Sequence, residues 1–156
     1  MIIRTFRSRC FYLFLVLFII VNREEVFSQV DFTFKSSYSY LKGKDAATLA
    51  PGWMNPSFNY SSWFVGNAPF RYGDGAWGTE LTDMQNSYTT VYLRSTFICS
   101  NQNILKYLTF SADYDDGFII WINGVQVLTA NAPSFPTYTS VAAAGHESGT
   151  GVSYIV

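Results

Sequence analysis

Three carboxylates fall within four positions, at Asp113, Asp115 and Asp116. Carboxylates are hard oxygen donors, and a loop that gathers several of them suits calcium, which takes about 6–8 oxygens in adaptable geometry. Their mutual repulsion gives a bound cation a second reason to sit there. The same residues also build ordinary turns, since Asp side chains accept nearby backbone N–H groups and Gly117 follows directly. That solvated turn is the plainer reading, and the calcium site is the one with chemistry in it. The spacing is not that of an EF-hand loop, which needs a Glu six residues after its Gly.

The next candidates are aromatic. Tyr72–Gly78 reads YGDGAWG, a loop by its glycines, and it carries Asp74 and Trp77. An exposed indole accepts sugar C–H edges on its face and donates one hydrogen bond from its N–H. Asp74 could add a carboxylate to such a platform. A tight turn whose glycines supply positive φ accounts for the same residues. The segment is not a phosphate loop, because no G-K-[ST] follows the glycines. Of the other tryptophans, Trp121 alternates within a strand and belongs to the core. Trp53 is expected to pack over one end of that core, and Trp63 sits among turn formers. Arg94 lies in a β-run and is expected to meet solvent or a carboxylate. Trp77, Asp74 and Arg94 are therefore the ligand-binding candidates.

No catalytic set emerges. His146 is the single histidine, and no G-x-S-x-G elbow supplies a nucleophile for it. A zinc site needs more His and Cys than His146 and Cys99 provide. Glu80, Glu147 and the aspartates could pair for glycoside hydrolysis, but nothing selects two of them. His146-Glu147 reads as a hydrogen-bonding element of its loop.

The elements that must carry these residues are strands. Asp113–Leu128 reads DYDDGFIIWINGVQVL, with two β-runs flanking Asn123-Gly124, the pair favoured by a type I′ hairpin turn. Gln29–Leu41 alternates with period two, as a half-buried strand does. Lys42–Asp45 reads as a turn and Ala46–Asn55 as irregular backbone. Ser57–Arg71 carries five aromatics among turn formers, with Gly66-Asn67-Ala68-Pro69 breaking it. Thr79–Asn86 fits a loop or a short helix. Ser87–Cys99 and Ile104–Ala112 are rich in β-branched and aromatic residues and read as strands around the polar turn 100–103. Loops at 131–136 and 142–151 precede a last β-run from Val152. No helical periodicity is present after the N-terminal segment. Short strands between turn signals predict an antiparallel β-sandwich or barrel.

The 156 residues suffice for one domain and a targeting segment. Arg4, Arg7 and Arg9 precede the apolar run 11–21, which suits a signal-peptide core and is short for a membrane span of about 20 residues. Cleavage is placed after Ser28, giving a signal peptide over 1–28 and a β-sandwich module over 29–156. The signal segment takes with it four of the ten basic and two of the eleven acidic residues, leaving a net charge of −3. No basic patch points to nucleic acid. Cys99 is then the one remaining cysteine, so no internal disulfide is expected, and it reads as a small buried apolar residue. The chain stops at Val156 inside an apolar β-run. The expectation is that further C-terminal strands belong to the same polypeptide, since a sandwich lacking its last strand would expose an unpaired edge.

Ordered pieces of this sequence resemble a jelly-roll module of large secreted bacterial proteins. They are Trp63, Gly66, Ala68-Pro69 and Tyr72-Gly73-Asp74-Gly75, then Thr90, Tyr92, Arg94 and Phe97, then Tyr114-Asp115-Asp116-Gly117 and Asn123-Gly124. His146-Glu147 matches a His-Glu in that module's later loop. The module accompanies spore-coat-H-type (CotH) kinase, lamin-tail and metallophosphoesterase domains and is similar to the galactose-binding-like sandwiches. A second, local resemblance is to the PA14 hairpin, where an Asp-Asp pair at the place of Asp115-Asp116 holds calcium that binds sugar hydroxyls.

The resemblance implies a jelly-roll, galactose-binding-like β-sandwich, secreted and non-catalytic, serving as a binding or spacer module beside neighbouring domains of a longer chain. A calcium-dependent carbohydrate-binding module is the first alternative, with Asp113, Asp115 and Asp116 as metal ligands and glycans as partners. An accessory domain contributing to a hydrolase or a CotH-type kinase is the second. No membrane association is expected once the signal is removed.

Overall fold

A computed structural model describes residues 37–73, 75–98 and 109–149, together with the backbone of 152–155. The signal segment, the first part of the strand expected from Gln29, Asp74, Cys99, the polar turn 100–103 and the start of the Ile104 strand lie outside the described residues. The described chain is all-β, and its one helical element is a single 3₁₀ turn at Gly43–Asp45. Among the described residues no helix is long and apolar enough to cross a membrane.

Among the described residues nine strands follow in order: β1 (Ser37–Lys42), β2 (Phe64–Asn67), β3 (Phe70–Arg71), β4 (Thr79–Glu80), β5 (Val91–Arg94), β6 (Thr109–Ala112), β7 (Phe118–Ile122), β8 (Val125–Ala130) and β9 (Val152–Ile155). β1 is the middle of a three-stranded antiparallel sheet, with β2 on one side and β5 on the other. β7 and β8 form the hairpin, and β6 pairs with β9, both antiparallel. β3 and β4 make one short parallel pair.

Directly opposed residues of an antiparallel pair share a face. The register Tyr40↔Phe64 and Tyr40↔Leu93 therefore puts Tyr38, Tyr40, Phe64 and Leu93 on one face of the β1 sheet. Phe70 of β3 packs onto that face, 5.2 Å from Tyr40 and 6.1 Å from Tyr38 between ring centroids. The register Leu41↔Tyr92 and Ser39↔Arg94 puts Tyr92 and Arg94 on the other face.

Trp53 joins this second face to the hairpin. Its ring stands edge-on to Tyr92 at 5.1 Å and to Trp121 of β7 at 5.2 Å, and it lies 6.2 Å from Trp63. Trp63 is itself buried and takes Phe58 and Tyr60 edge-on. An aromatic layer thus fills the space between sheet and hairpin, as a β-sandwich requires. The irregular 46–63 segment supplies that layer because its turns point Trp53 and Trp63 inward. Among those turns, Trp53 N–H donates to Ala50 and Trp63 N–H to Tyr60.

The hairpin forms as its sequence predicts. Asn123 and Gly124 have φ of 51° and 87°, the positive values a type I′ turn needs. β8 runs to Ala130, two residues beyond the expected Leu128.

Three expectations are changed or narrowed. Gly66 and Asn67 were expected to break the chain, but they lie within β2. A Cβ on Gly66 would stand 2.4 Å from Thr79 Oγ1, so the glycine lets β4 approach closely rather than ending a strand. Thr79–Asn86, expected as a loop or a short helix, opens with the two-residue β4 and then runs as a loop of turns. The Ser87–Cys99 strand shortens to Val91–Arg94. Its partner β1 ends at Lys42, where the 3₁₀ turn begins, and Gly43 N–H to the Thr90 carbonyl at 2.8 Å extends the pairing there.

Candidate functional site

The hairpin mouth and the loop 143–149 come together around the acidic turn. β6 enters the turn and β7 leaves it, with Phe118 anchored against Phe110 at 6.3 Å and Tyr114 at 4.7 Å. The Asp115–Asp116 peptide bond is cis. Gly117 is required by space: a Cβ there would meet the Ala130 carbonyl oxygen at 2.8 Å and the Asn131 carbonyl at 3.1 Å. The turn is thereby pressed against the end of β8, where Asn131 Nδ2 donates to the Asp116 carbonyl at 3.1 Å.

Two of the three carboxylates reach across to the later loop. Asp116 Oδ1 accepts the His146 backbone N–H at 3.0 Å, and Asp113 Oδ1 accepts the Gly149 N–H at 2.7 Å. Asp115 is exposed. The His146 ring stacks on Tyr114 with centroids 4.0 Å apart and planes 10° apart. Its Nδ1 lies 3.0 Å from the Tyr114 carbonyl oxygen. An oxygen acceptor there requires Nδ1 to carry the hydrogen. The Ala143 N–H adds a bond to the Asn131 carbonyl at 2.6 Å. His146 is thus the hydrogen-bonding loop element expected of it. Glu147 is exposed.

The arrangement is a latch. Among the described residues, no three His, Cys, Asp or Glu side chains converge so as to hold a metal ion. Calcium takes about 6–8 oxygens, and the described side chains at the turn do not by themselves make that set. No carboxylate among the described residues bonds the His146 ring, so an acid–imidazole pair is not formed there either.

The aromatic candidates lie in other places. Trp77 is 61% exposed in its glycine-rich loop. Arg71 closes that loop from beneath, with Nε donating to the Trp77 carbonyl at 2.9 Å and Nη2 bonding Glu80 at 3.0 Å. Arg94 turns inward. Its Nη1 donates to the Trp53 carbonyl and its Nη2 to the Asn55 carbonyl at 3.1 Å. The guanidinium lies over the Tyr60 ring at 4.6 Å and within 5.7 Å of Phe58. It holds the 53–60 segment against β5. Arg94 was expected to meet solvent or a carboxylate; it is part-exposed, and two backbone carbonyls and two rings stand where a carboxylate would.

A third polar centre was not anticipated. Asp83 accepts from Lys42 at 2.8 Å, from Lys44 at 2.6 Å and from the Tyr88 hydroxyl at 3.0 Å. Hydrogen bonds from Lys42 and then Lys44 hold its carboxyl far below the usual carboxylate range. Burial first, then the Asp83 carboxylate, pushes the Tyr88 hydroxyl well above the ordinary phenol value. The sequence signal for it was faint: two lysines flanking a glycine, and an aspartate about forty positions later.

The sequence brings Asp113, Asp116 and His146 into one place, while Trp77 and Arg94 join separate clusters. Comparison with known proteins adds nothing to this geometry: no family model, no curated protein and no solved structure matches the chain.

Proposed function

We propose that the protein is a non-catalytic, extracellular β-sandwich module of jelly-roll, galactose-binding-like type. It serves as a binding or spacer unit beside neighbouring domains of a longer secreted chain, such as the CotH-type kinase or hydrolase domains that the resemblance suggests. One observation carries this reading. The side chains best suited to chemistry are spent on holding loops: Asp113 and Asp116 on backbone amides, Arg94 on backbone carbonyls, and the His146 ring on a carbonyl and an aromatic face.

A calcium-assisted carbohydrate-binding role is the second reading. It is favoured by one feature: Asp113 and Asp116 both reach the same loop through Oδ1 alone, leaving Oδ2 without a hydrogen bond among the described residues. Calorimetric titration of calcium into the purified chain separates the two. The module reading expects no heat of binding and no rise in melting temperature. A saturable heat that disappears in Asp116→Ala would replace it with the calcium reading. Turnover of ATP or of a panel of glycoside and ester substrates by the purified chain would overturn both.

A further inference from the structure

We propose that the protein pairs with a second copy of itself by reciprocal insertion of Phe135 into the cleft between the Gly43–Asp45 turn and the loops 86–89 and 137–140. Phe135 is 91% exposed. Pro133 and Pro136 stand on either side and restrict the backbone around it. The loop 131–143 that carries it is held at three places. The Ala143 N–H closes its ends on the Asn131 carbonyl at 2.6 Å, Asn131 Nδ2 donates to the Asp116 carbonyl at 3.1 Å, and Thr90 Oγ1 donates to the Tyr138 carbonyl at 2.7 Å. Within the loop, the Ser140 N–H returns to the Thr137 carbonyl at 3.1 Å. Compact surface loops with closed ends are frequently functional. A large apolar side chain presented to water on a tied loop is a preset anchor, because little ordering remains when it is buried.

The receptor for that ring lies beside it. Tyr138 and Thr139 form one wall of the cleft, and Lys44, Tyr88 and Thr89 contribute to the other. The cleft measures about 400 Å³, and a cavity of about 150 Å³ is enough to hold a benzene ring. Asp83 serves Lys42 and Lys44 together, so one positive charge is left on the lining. An aromatic face is the apolar group that accepts such a charge. The Lys44 ammonium already stands 5.8 Å from the Tyr88 ring centroid, and a second ring entering the cleft adds to that contact.

The occupant is a second copy because knob and hole sit on one loop. Phe135 precedes Tyr138 by three residues. A two-fold axis beside the loop sends each Phe135 into the other copy's cleft, and both contacts form at once. Such an axis also brings the loop against itself, where like charges would repel. Residues 131–145 contain no Asp, Glu, Lys or Arg. In a chain whose expected mature form carries a net charge of −3, this is a surface on which two copies can meet without repulsion.

Self-association of this kind is separate from the binding or spacer role and from any calcium site, so it is measured in EDTA. The full chain is followed by sedimentation velocity across the micromolar to millimolar range. A reversible monomer–dimer equilibrium is expected, weak because two ring insertions make a small interface. Phe135→Ser should weaken it about a hundredfold, since both insertions are lost together. Thr89→Trp, which fills the hole, should weaken it too. An equimolar mixture of the two variants should associate more strongly than either alone, through one intact knob and one intact hole. Trp77→Ala, at an exposed ring on another loop, should dimerise as wild type. In a dimer of isotope-labelled and unlabelled chains, filtered NOEs should join the Phe135 ring to Lys44 and Thr89 across the interface, a readout that needs no variant. A chain monomeric throughout the range, a dimer unchanged in Phe135→Ser, or a dimer without those NOEs overturns the proposal. Binding of a monomeric chain to zwitterionic lipid vesicles, lost in Phe135→Ser, would overturn it by assigning the ring to a membrane surface.

Discussion

Asp116 and His146, 30 positions apart, are joined by a bond from the His146 backbone N–H to the Asp116 carboxylate at 3.0 Å. The acceptor is charged and the donor is a main-chain amide, so the bond fixes the path of the loop whatever side chain stands at 146. Tyr114 then stacks on the imidazole that arrives there.

Asp116→Ala should release that loop. A hydrogen bond to a charged group in a partly exposed place contributes about 1–2 kcal/mol, so a small fall in global stability is expected. The local effect is larger. Amide exchange should quicken across residues 143–149, while the amides that pair β7 with β8 stay protected. Asp116→Asn keeps an acceptor oxygen and should retain most of the protection. Equal loss of protection in loop and hairpin would show that the latch does not act as a separate unit.

Trp53 carries the contact between the β1 sheet and the hairpin, since it touches Tyr92 on one side and Trp121 on the other. Trp53→Ala should cost about 2–4 kcal/mol, less than for a wholly buried tryptophan because the ring is only half-buried. Trp53→Phe keeps an edge-on partner for both rings and should recover a large part of the loss. The check is the urea midpoint of the three proteins. The Trp121 emission maximum adds a second readout, because it should shift to the red in Trp53→Ala as water reaches that ring. A midpoint unchanged in Trp53→Ala would remove the ring's bridging role.

The hairpin was legible in the sequence because everything that makes it is local. Asn123-Gly124 sets the turn, and the residues on either side prefer strands without outside help. Trp53 and His146 were legible for a related reason: a large ring or a lone imidazole in a loop has few places to go. Arg94 was not, because its partners are the carbonyls of Trp53 and Asn55, and a carbonyl leaves no mark in a sequence. The parallel pairing of Phe70 with Thr79 and Arg71 with Glu80 was hidden as well. Two-residue strands have no period to read. Gly66 misled because a glycine that admits a neighbour and a glycine that ends a strand look alike until the neighbour, here Thr79, is known. Of the acidic turn, the carboxylates were readable and their acceptance of distant amides was not.

The Asp83 centre gives the protein an acid-sensitive tie between β1 and the turns after β4. Lys42 and Lys44 hold the folded-state carboxyl far below its ordinary value. The unfolded chain binds a proton near pH 4 at this residue, and the folded chain resists doing so. The tie is therefore fully present above about pH 4–5 and is lost progressively as pH falls below that range. The group is solvent-exposed, so salt should weaken it too. Tyr88 acts at the other end. Its raised pKa means that the unfolded chain loses the phenol proton first, so stability falls as pH rises above about 10. Urea midpoints measured from pH 2 to 11 check both limbs. Asp83→Asn should be less stable than wild type at pH 7, and the gap should narrow steadily as pH falls from about 5 to 2, because the unfolded chain takes up the proton that the folded carboxylate resists. Tyr88→Phe should flatten the alkaline limb while leaving the acid limb in place. An Asp83→Asn curve parallel to wild type between pH 5 and 2 would mean that the two lysines do not hold this carboxylate in solution.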